Sequence, residues 1–120
     1  MFDSYEELCA DPTIDIVYVG TKTADHCAHS LLAVAGGKHV LCEKPFTTNA
    51  AEARQCYAAA EQKGVMMQEG MWTRYFPAYE HARAALEAGA IGAELDEGGA
   101  VFTPHPALVC TGNLRWMTVL

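Results

Sequence analysis

Eight side chains able to bind, polarise or exchange protons stand in three short stretches, each following an apolar run: Thr21, Lys22 and His26; Glu43 and Lys44; Glu69, Trp72 and Arg74. Between them they offer fixed positive charge, two carboxylates, an imidazole, a hydroxyl and an indole. These are groups that orient a small polar molecule and stabilise charge developing on it. Connecting segments are polar in any protein, so no single member is diagnostic; the clustering is what counts. Taken alone, a lysine at a strand end is a solvated charge. His26 and His29 have i, i+3 spacing but no matched third ligand, so no metal site is expected. The five cysteines, Cys9, Cys27, Cys42, Cys56 and Cys110, are separated by 18, 15, 14 and 54 residues with no C-x-x-C, which fits neither a disulfide framework nor a zinc knuckle.

The elements that must position these groups follow from local signals. Ser4-x-x-Glu7 has the form of a capping box and starts a short helix to about Cys9, which Asp11-Pro12 stops. Ile14 to Val19 reads as a strand whose side chains are apolar on both faces, the mark of a parallel sheet covered on both sides. Ala28, Leu31, Leu32 and Ala35 then recur at helical spacing, and Gly36-Gly37 ends that helix. His39 to Cys42 is a second strand with Glu43-Lys44-Pro45 at its carboxyl end. Asn49-x-x-Glu52 caps a helix whose Ala50, Ala53, Cys56, Tyr57 and Ala60 share a face; Gly64 ends it, and Val65 to Gln68 is a third strand. Strand starts near 14, 39 and 65 lie about 25 residues apart with one helix between each pair, the spacing of βαβ crossovers. Pro77 suits the first turn of a fourth helix that ends before Gly89, and extended segments are expected at about Ala100–Phe102 and Trp116–Leu120.

The predicted fold is therefore α/β: the C-terminal half of a doubly wound, Rossmann-like parallel sheet, followed by the start of a second α+β domain. In open parallel sheets ligands bind outside the carboxyl ends of the strands, which brings the three polar stretches to one edge. The chain has 120 residues, 51% of them hydrophobic and 19% charged, too apolar for a disordered tail. Its net charge of −7 and lack of a basic run argue against nucleic acid as a partner. An acidic N-terminus and the lack of any long apolar run argue against a signal peptide or membrane span. A reducing, cytoplasmic setting is expected.

Ile14-Asp15-Ile16-Val17-Tyr18-Val19-Gly20-Thr21, His26 and Gly37-Lys38-His39-Val40-Leu41-Cys42-Glu43-Lys44-Pro45 resemble the glucose-fructose oxidoreductase/inositol dehydrogenase family of NAD(P)-dependent oxidoreductases. Glu69-Gly70-Met71-Trp72-Thr73-Arg74-Tyr75-Phe76-Pro77 and Gly89-Ala90-Ile91-Gly92 are similar to the branch that holds dimeric dihydrodiol dehydrogenase and NADP-dependent D-xylose dehydrogenase. The resemblance covers about residues 4–92. It implies that Lys44 is catalytic, its ammonium stabilising an alkoxide as hydride leaves the carbon. It also implies that Thr21 and His26 line the nicotinamide side, that Glu43 and Pro45 shape the turn, that Trp72 walls the substrate pocket and that Arg74 holds cofactor. The cofactor would be NADP or NAD, with NADP favoured by the branch, and the substrate a secondary alcohol of a sugar or cyclic diol. The full-length form would be a homo-oligomer. Residues 1–92 would be a partial NAD(P)-binding domain, and 93–120 the start or a remnant of the C-terminal substrate and dimerisation domain.

The departures from the family pattern matter equally. The sequence has no G-x-G-x-x-G loop to hold a pyrophosphate, and Lys22 stands where a proline commonly follows the threonine; of the tyrosine or histidine that the family uses as acid/base, no tyrosine follows Tyr79 and His105 lies in the unmatched stretch. These features read as a fragment of a dehydrogenase, inactive alone. The alternative is a truncated, non-catalytic module that pairs with a full-length homologue. In a sheet of order 3-2-1-4-5-6 such a fragment would leave the Ile14–Val19 strand as an uncovered edge, prone to aggregation or dimerisation.

Overall fold

The computed structural model describes residues 2–90 and 116–119. In order the elements are α1 (Tyr5–Ala10), β1 (Ile16–Val19), α2 (Thr23–Ala35), β2 (His39–Cys42), α3 (Ala50–Lys63), β3 (Met67–Glu69), a 3-10 turn (Trp72–Tyr75), α4 (Pro77–Glu87) and β4 (Trp116–Val119). The chain divides into two units, Met1–Gly70 with Thr111–Leu120, and Met71–Cys110. The expected extended segment at Ala100–Phe102 lies outside the described residues.

Side-chain caps set the helix starts. Ser4 Oγ accepts the Glu7 amide at 3.1 Å, and Asn49 Oδ1 accepts the amides of Ala51 and Glu52 at 3.0 Å each. In both helices the returning carboxylate reaches one residue before the cap: Glu7 takes the Asp3 amide, and Glu52 takes the amide and hydroxyl of Thr48. Those hydrogen bonds hold the Glu52 carboxyl below its ordinary range. Gly64 stands left-handed at φ 67° and ends α3, and the Val65 amide folds back onto the Ala60 carbonyl. Val65 is thereby consumed by the helix cap, so β3 begins at Met67 and ends on Glu69, two residues beyond the sequence reading at its start. At the end of α2 the left-handed residue is Gly37, at φ 74°. Gly36 serves contact instead: a Cβ there would stand 2.3 Å from the Cys9 carbonyl oxygen of α1.

The first unit holds one sheet in the order β3-β2-β1-β4, every pairing parallel. Val17, Val19, Val40 and Cys42 from the strands pack with Ala33, Val34, Cys56 and Ala60 from α2 and α3, and Leu8 and Cys9 of α1 close the cluster. The buried face of α2 is His26, Ser30, Ala33 and Val34, whereas Ala28 and Ala35 of the expected stripe are exposed and Leu31 and Leu32 flank the core. Two polar residues, His26 and Ser30, occupy core positions, which shifted the apparent stripe. The buried Lys38 extends from the β2 approach and donates to the carbonyls of Asp11 and Ile14 at 2.6 and 3.0 Å, fastening the α1–β1 connection to the sheet.

One expectation is overturned. The β1 edge is not bare: β4 runs parallel to it in the register Ile16 with Trp116 through Val19 with Val119. An open edge leaves a row of amides and carbonyls unpaired, and an extended segment of the same chain satisfies them without the entropic cost of association. In the second unit, Pro77 stands at the first position of α4 as expected, with Phe76 before it and Gly89 left-handed beyond its end. No helix among the described residues is long and apolar enough to cross a membrane.

Candidate functional site

Because β1, β2 and β3 are parallel, their carboxyl ends face one way and deliver Gly20–Thr21, Glu43–Lys44–Pro45 and Glu69–Gly70 to a single sheet edge. Backbone hydrogen bonds hold these exits together: the Glu43 amide donates to the Val19 carbonyl at 2.9 Å and the Gly70 amide to the Cys42 carbonyl at 2.6 Å. The Lys44–Pro45 peptide is cis.

Three side chains brace the turn. His26, at the start of α2 and 1% exposed, sets Nδ1 2.9 Å from the Pro45 carbonyl oxygen and Nε2 3.0 Å from the Thr21 carbonyl oxygen. A neutral imidazole donates at only one of these nitrogens, yet its ring ties the two loops into one surface. Glu69 at the end of β3 accepts the Phe46 amide at 2.9 Å. From β1, the Tyr18 hydroxyl donates to Glu43 Oε1 at 2.8 Å, while Glu43 Oε2 accepts the Lys44 amide at 2.9 Å. These two bonds stabilise the ionised carboxylate, so Glu43 is held below the usual glutamate range, and the same bond pushes the Tyr18 phenol above its ordinary value.

The outcome for Lys44 differs from that for its neighbours. Its backbone is pinned on both sides, but its side chain is exposed and among the described residues enters no ion pair. Thr21 is half-buried, its hydroxyl 3.0 Å from His29 Nδ1, and the His29 ring packs edge-on to Tyr5 with centroids 4.8 Å apart. Lys22 precedes α2 at its cap position without a side-chain capping bond. Thr21, His26, Glu43, Lys44, Pro45 and Glu69 therefore share one edge of the first unit. Trp72 and Arg74 belong to the second unit, on the 3-10 turn, where Trp72 is 54% exposed and meets Phe76 edge-on at 5.1 Å. Trp72 is thus not a core aromatic.

Sequence reasoning missed two members. In the sequence Tyr18 reads as one more apolar strand residue, and His29 only as a neighbour of His26 at i, i+3 spacing. A tyrosine two residues before the glycine that ends a buried strand is the available signal for the first, because its hydroxyl needs a partner at the strand end.

A family profile described as an oxidoreductase family with an NAD-binding Rossmann fold matches residues 1–71. The chain is 46% identical over 91 residues to trans-1,2-dihydrobenzene-1,2-diol dehydrogenase of Bos taurus, covering 76% of this chain and 27% of that protein. It is 47% identical over 91 residues to D-xylose 1-dehydrogenase (NADP(+)) of Hypocrea jecorina, covering 76% and 23% respectively. A crystal structure of an NAD-binding oxidoreductase from Klebsiella pneumoniae matches 76% of this chain and 24% of that one, at a TM-score of 0.70 and 32% identity. The chain thus spans about a quarter of the length of the relatives it matches. With the parallel sheet, the shared strand-end edge and these matches in agreement, the chain belongs to the glucose-fructose oxidoreductase/inositol dehydrogenase family of oxidoreductases with an NAD-binding Rossmann fold.

Proposed function

We propose that this chain contributes part of the NAD(P) site of an oxidoreductase acting on a secondary alcohol of a sugar or cyclic diol, of the dihydrodiol or D-xylose dehydrogenase type. The observation that carries the reading is the Glu43–Lys44–Pro45 turn. The turn is braced by side chains from three neighbouring elements while its ammonium is left exposed at the carboxyl end of β2, where open parallel sheets bind ligands. The residues at this edge fit a nicotinamide dinucleotide: a hydroxyl on Thr21, an exposed cation on Lys44 that enters no ion pair among the described residues, and a carboxylate engaged chiefly by Tyr18 and the turn amide. When bound, the dinucleotide supplies the hydride acceptor.

Lys44 puts positive charge where the substrate hydroxyl oxygen gains negative charge as hydride leaves its carbon, so its ammonium acts mainly on the transition state. Glu43 and Pro45 aim that lysine. Thr21 and His26 form the nicotinamide-side wall, with His26 acting through the two carbonyls it bridges. Trp72 walls the substrate pocket and Arg74 holds cofactor. NADP is favoured over NAD, as in the name of the Hypocrea jecorina relative. Residues 1–92 belong to the NAD(P)-binding region, whose sheet the Trp116–Val119 strand of segment 93–120 joins, and the proton acceptor is a group outside the matched segment.

The test is a graft: the matched segment of the D-xylose dehydrogenase is replaced by that of this chain. The hybrid should oxidise D-xylose or a trans-dihydrodiol with NADP. A folded hybrid that binds NADP and oxidises neither would overturn the assignment. The β1–β4 pairing favours a second reading for the isolated 120-residue chain, as a non-catalytic module. In the order 3-2-1-4-5-6, the place beside β1 belongs to the strand that leads into the pyrophosphate loop. On this reading the purified chain shows no dehydrogenase turnover, and turnover lost on Lys44→Ala would contradict it.

A further inference from the structure

Cys27 on α2 and Cys56 on α3 face each other across the contact between the two helices, with their Sγ atoms 3.6 Å apart, and Cys56 Sγ also lies 3.9 Å from the Cys27 carbonyl oxygen. All four described cysteines are free thiols. Cys42 lies near but is engaged elsewhere, its Sγ 3.6 Å from the Phe46 carbonyl oxygen, and Cys9, on α1, packs into the core cluster. The two facing thiols differ in access: Cys27 is half-buried and Cys56 is fully buried. Nothing in the mechanism above uses either.

We infer that Cys27 and Cys56 form a reversible dithiol switch, a modification site whose oxidant is a soluble aliphatic disulfide such as glutathione disulfide. Cys27, reached from solvent, loses its proton, and its sulfur attacks one sulfur of the oxidant; one glutathione thiolate departs and a mixed disulfide remains on Cys27. Cys56 then loses its proton, its sulfur attacks the Cys27 sulfur, and the second glutathione thiolate departs. Two protein S–H bonds are lost and one S–S bond forms, and two electrons and two protons leave on two glutathione molecules. Burial, together with the neighbouring Cys27, pushes the Cys56 thiol up to about 12, consistent with Cys27 reacting first. The sulfurs must close by about 1.5 Å to reach disulfide length, a distance within the reach of side-chain rotation on two packed helices. The link would tie α2 to α3 around β2 and the Glu43–Lys44–Pro45 turn, beside His26.

The test uses the full chain, incubated under native conditions with glutathione disulfide and mapped without reduction by peptide mass spectrometry. The expected product joins the Cys27 peptide to the Cys56 peptide, has lost two hydrogens, carries no glutathione on Cys27 and reverts with dithiothreitol. Cys56→Ser, with nothing to complete the exchange, should accumulate glutathione on Cys27; Cys27→Ser should give neither product. The wild-type map decides the question even if a serine variant misfolds. Retention of glutathione on wild-type Cys27, a link through Cys42 instead, or no reaction at Cys27 until denaturant is added would each overturn the inference. None of these readouts depends on dehydrogenase activity.

Discussion

The Glu43 carboxylate shows how a single residue can be spent on geometry. It accepts one hydrogen bond from Tyr18 and one from the turn it begins, so it steadies Lys44 chiefly through the backbone, with the lysine's charge a smaller influence on it and no direct ion pair between them. An ion pair would neutralise the ammonium that the proposed chemistry needs. The bond lowers Glu43 and raises Tyr18, and the signs follow. The contribution of Glu43 is complete above the ordinary glutamate range and is lost as pH falls through its depressed value. That of Tyr18 is complete below the ordinary phenol value and is lost as pH rises through its raised one. Tyr18→Phe removes the strongest hydrogen-bonding influence on Glu43, so a carboxyl NMR titration of that variant should show Glu43 titrating nearer the ordinary glutamate value. An unchanged titration would mean that Lys44, through its amide and its charge, sets it instead. Tyr18 was hidden in the sequence because its partner lies 25 residues away, just past the end of the neighbouring strand. By contrast, Lys44 was legible, because Glu-Lys-Pro closes an apolar strand in a recognisable local pattern.

At the scale of elements, the βαβ grammar was readable because each signal is local: buried parallel strands are apolar on both faces, and Ser4, Asn49, Pro77 and Gly64 punctuate the helices. What failed was the face of α2. Apolar periodicity assumes a core lined with hydrocarbon, and here His26 and Ser30 point inward. His26 sets a ring nitrogen against each of two carbonyl oxygens, donating to one of them when neutral; the buried Ser30 hydroxyl has no oxygen or nitrogen partner and works against the burial that pushes the Cys42 thiol up to about 11. Gly36 shows a second limit. Sequence alone marks it as a helix stop, yet its own backbone is ordinary, at φ −73°, and its lack of a side chain lets α1 approach. Gly36→Ala should therefore destabilise the fold by about 1–3 kcal/mol through collision with the Cys9 backbone, read as a lowered urea midpoint with unchanged slope. Gly37→Ala, strained by its left-handed φ rather than by contact, provides the comparison. Equal midpoints for Gly36→Ala and the wild type would show that α1 gives way freely.

For the molecule as a whole, the decisive feature is the partner of β1. A four-residue strand about a hundred residues downstream leaves no local trace of where it pairs, so the sequence could mark an extended segment near Trp116 but not its neighbour. With β4 in place the edge is paired; without it a row of backbone groups on a buried-type strand faces water. Deleting residues 116–120 should therefore raise self-association. Sedimentation at matched concentrations should show larger species for the shortened chain than for the full one, and superimposable profiles would contradict the capping role.

The central claim is that the Lys44 ammonium works on the reacting oxygen and not on stability or cofactor capture. Its direct test is Lys44→Met in the D-xylose dehydrogenase graft, which removes the charge and keeps most of the stem. kcat should fall by about 10²–10³-fold, with the NADP dissociation constant and the melting temperature of the hybrid unchanged. A kcat equal to that of the unmutated graft would contradict it.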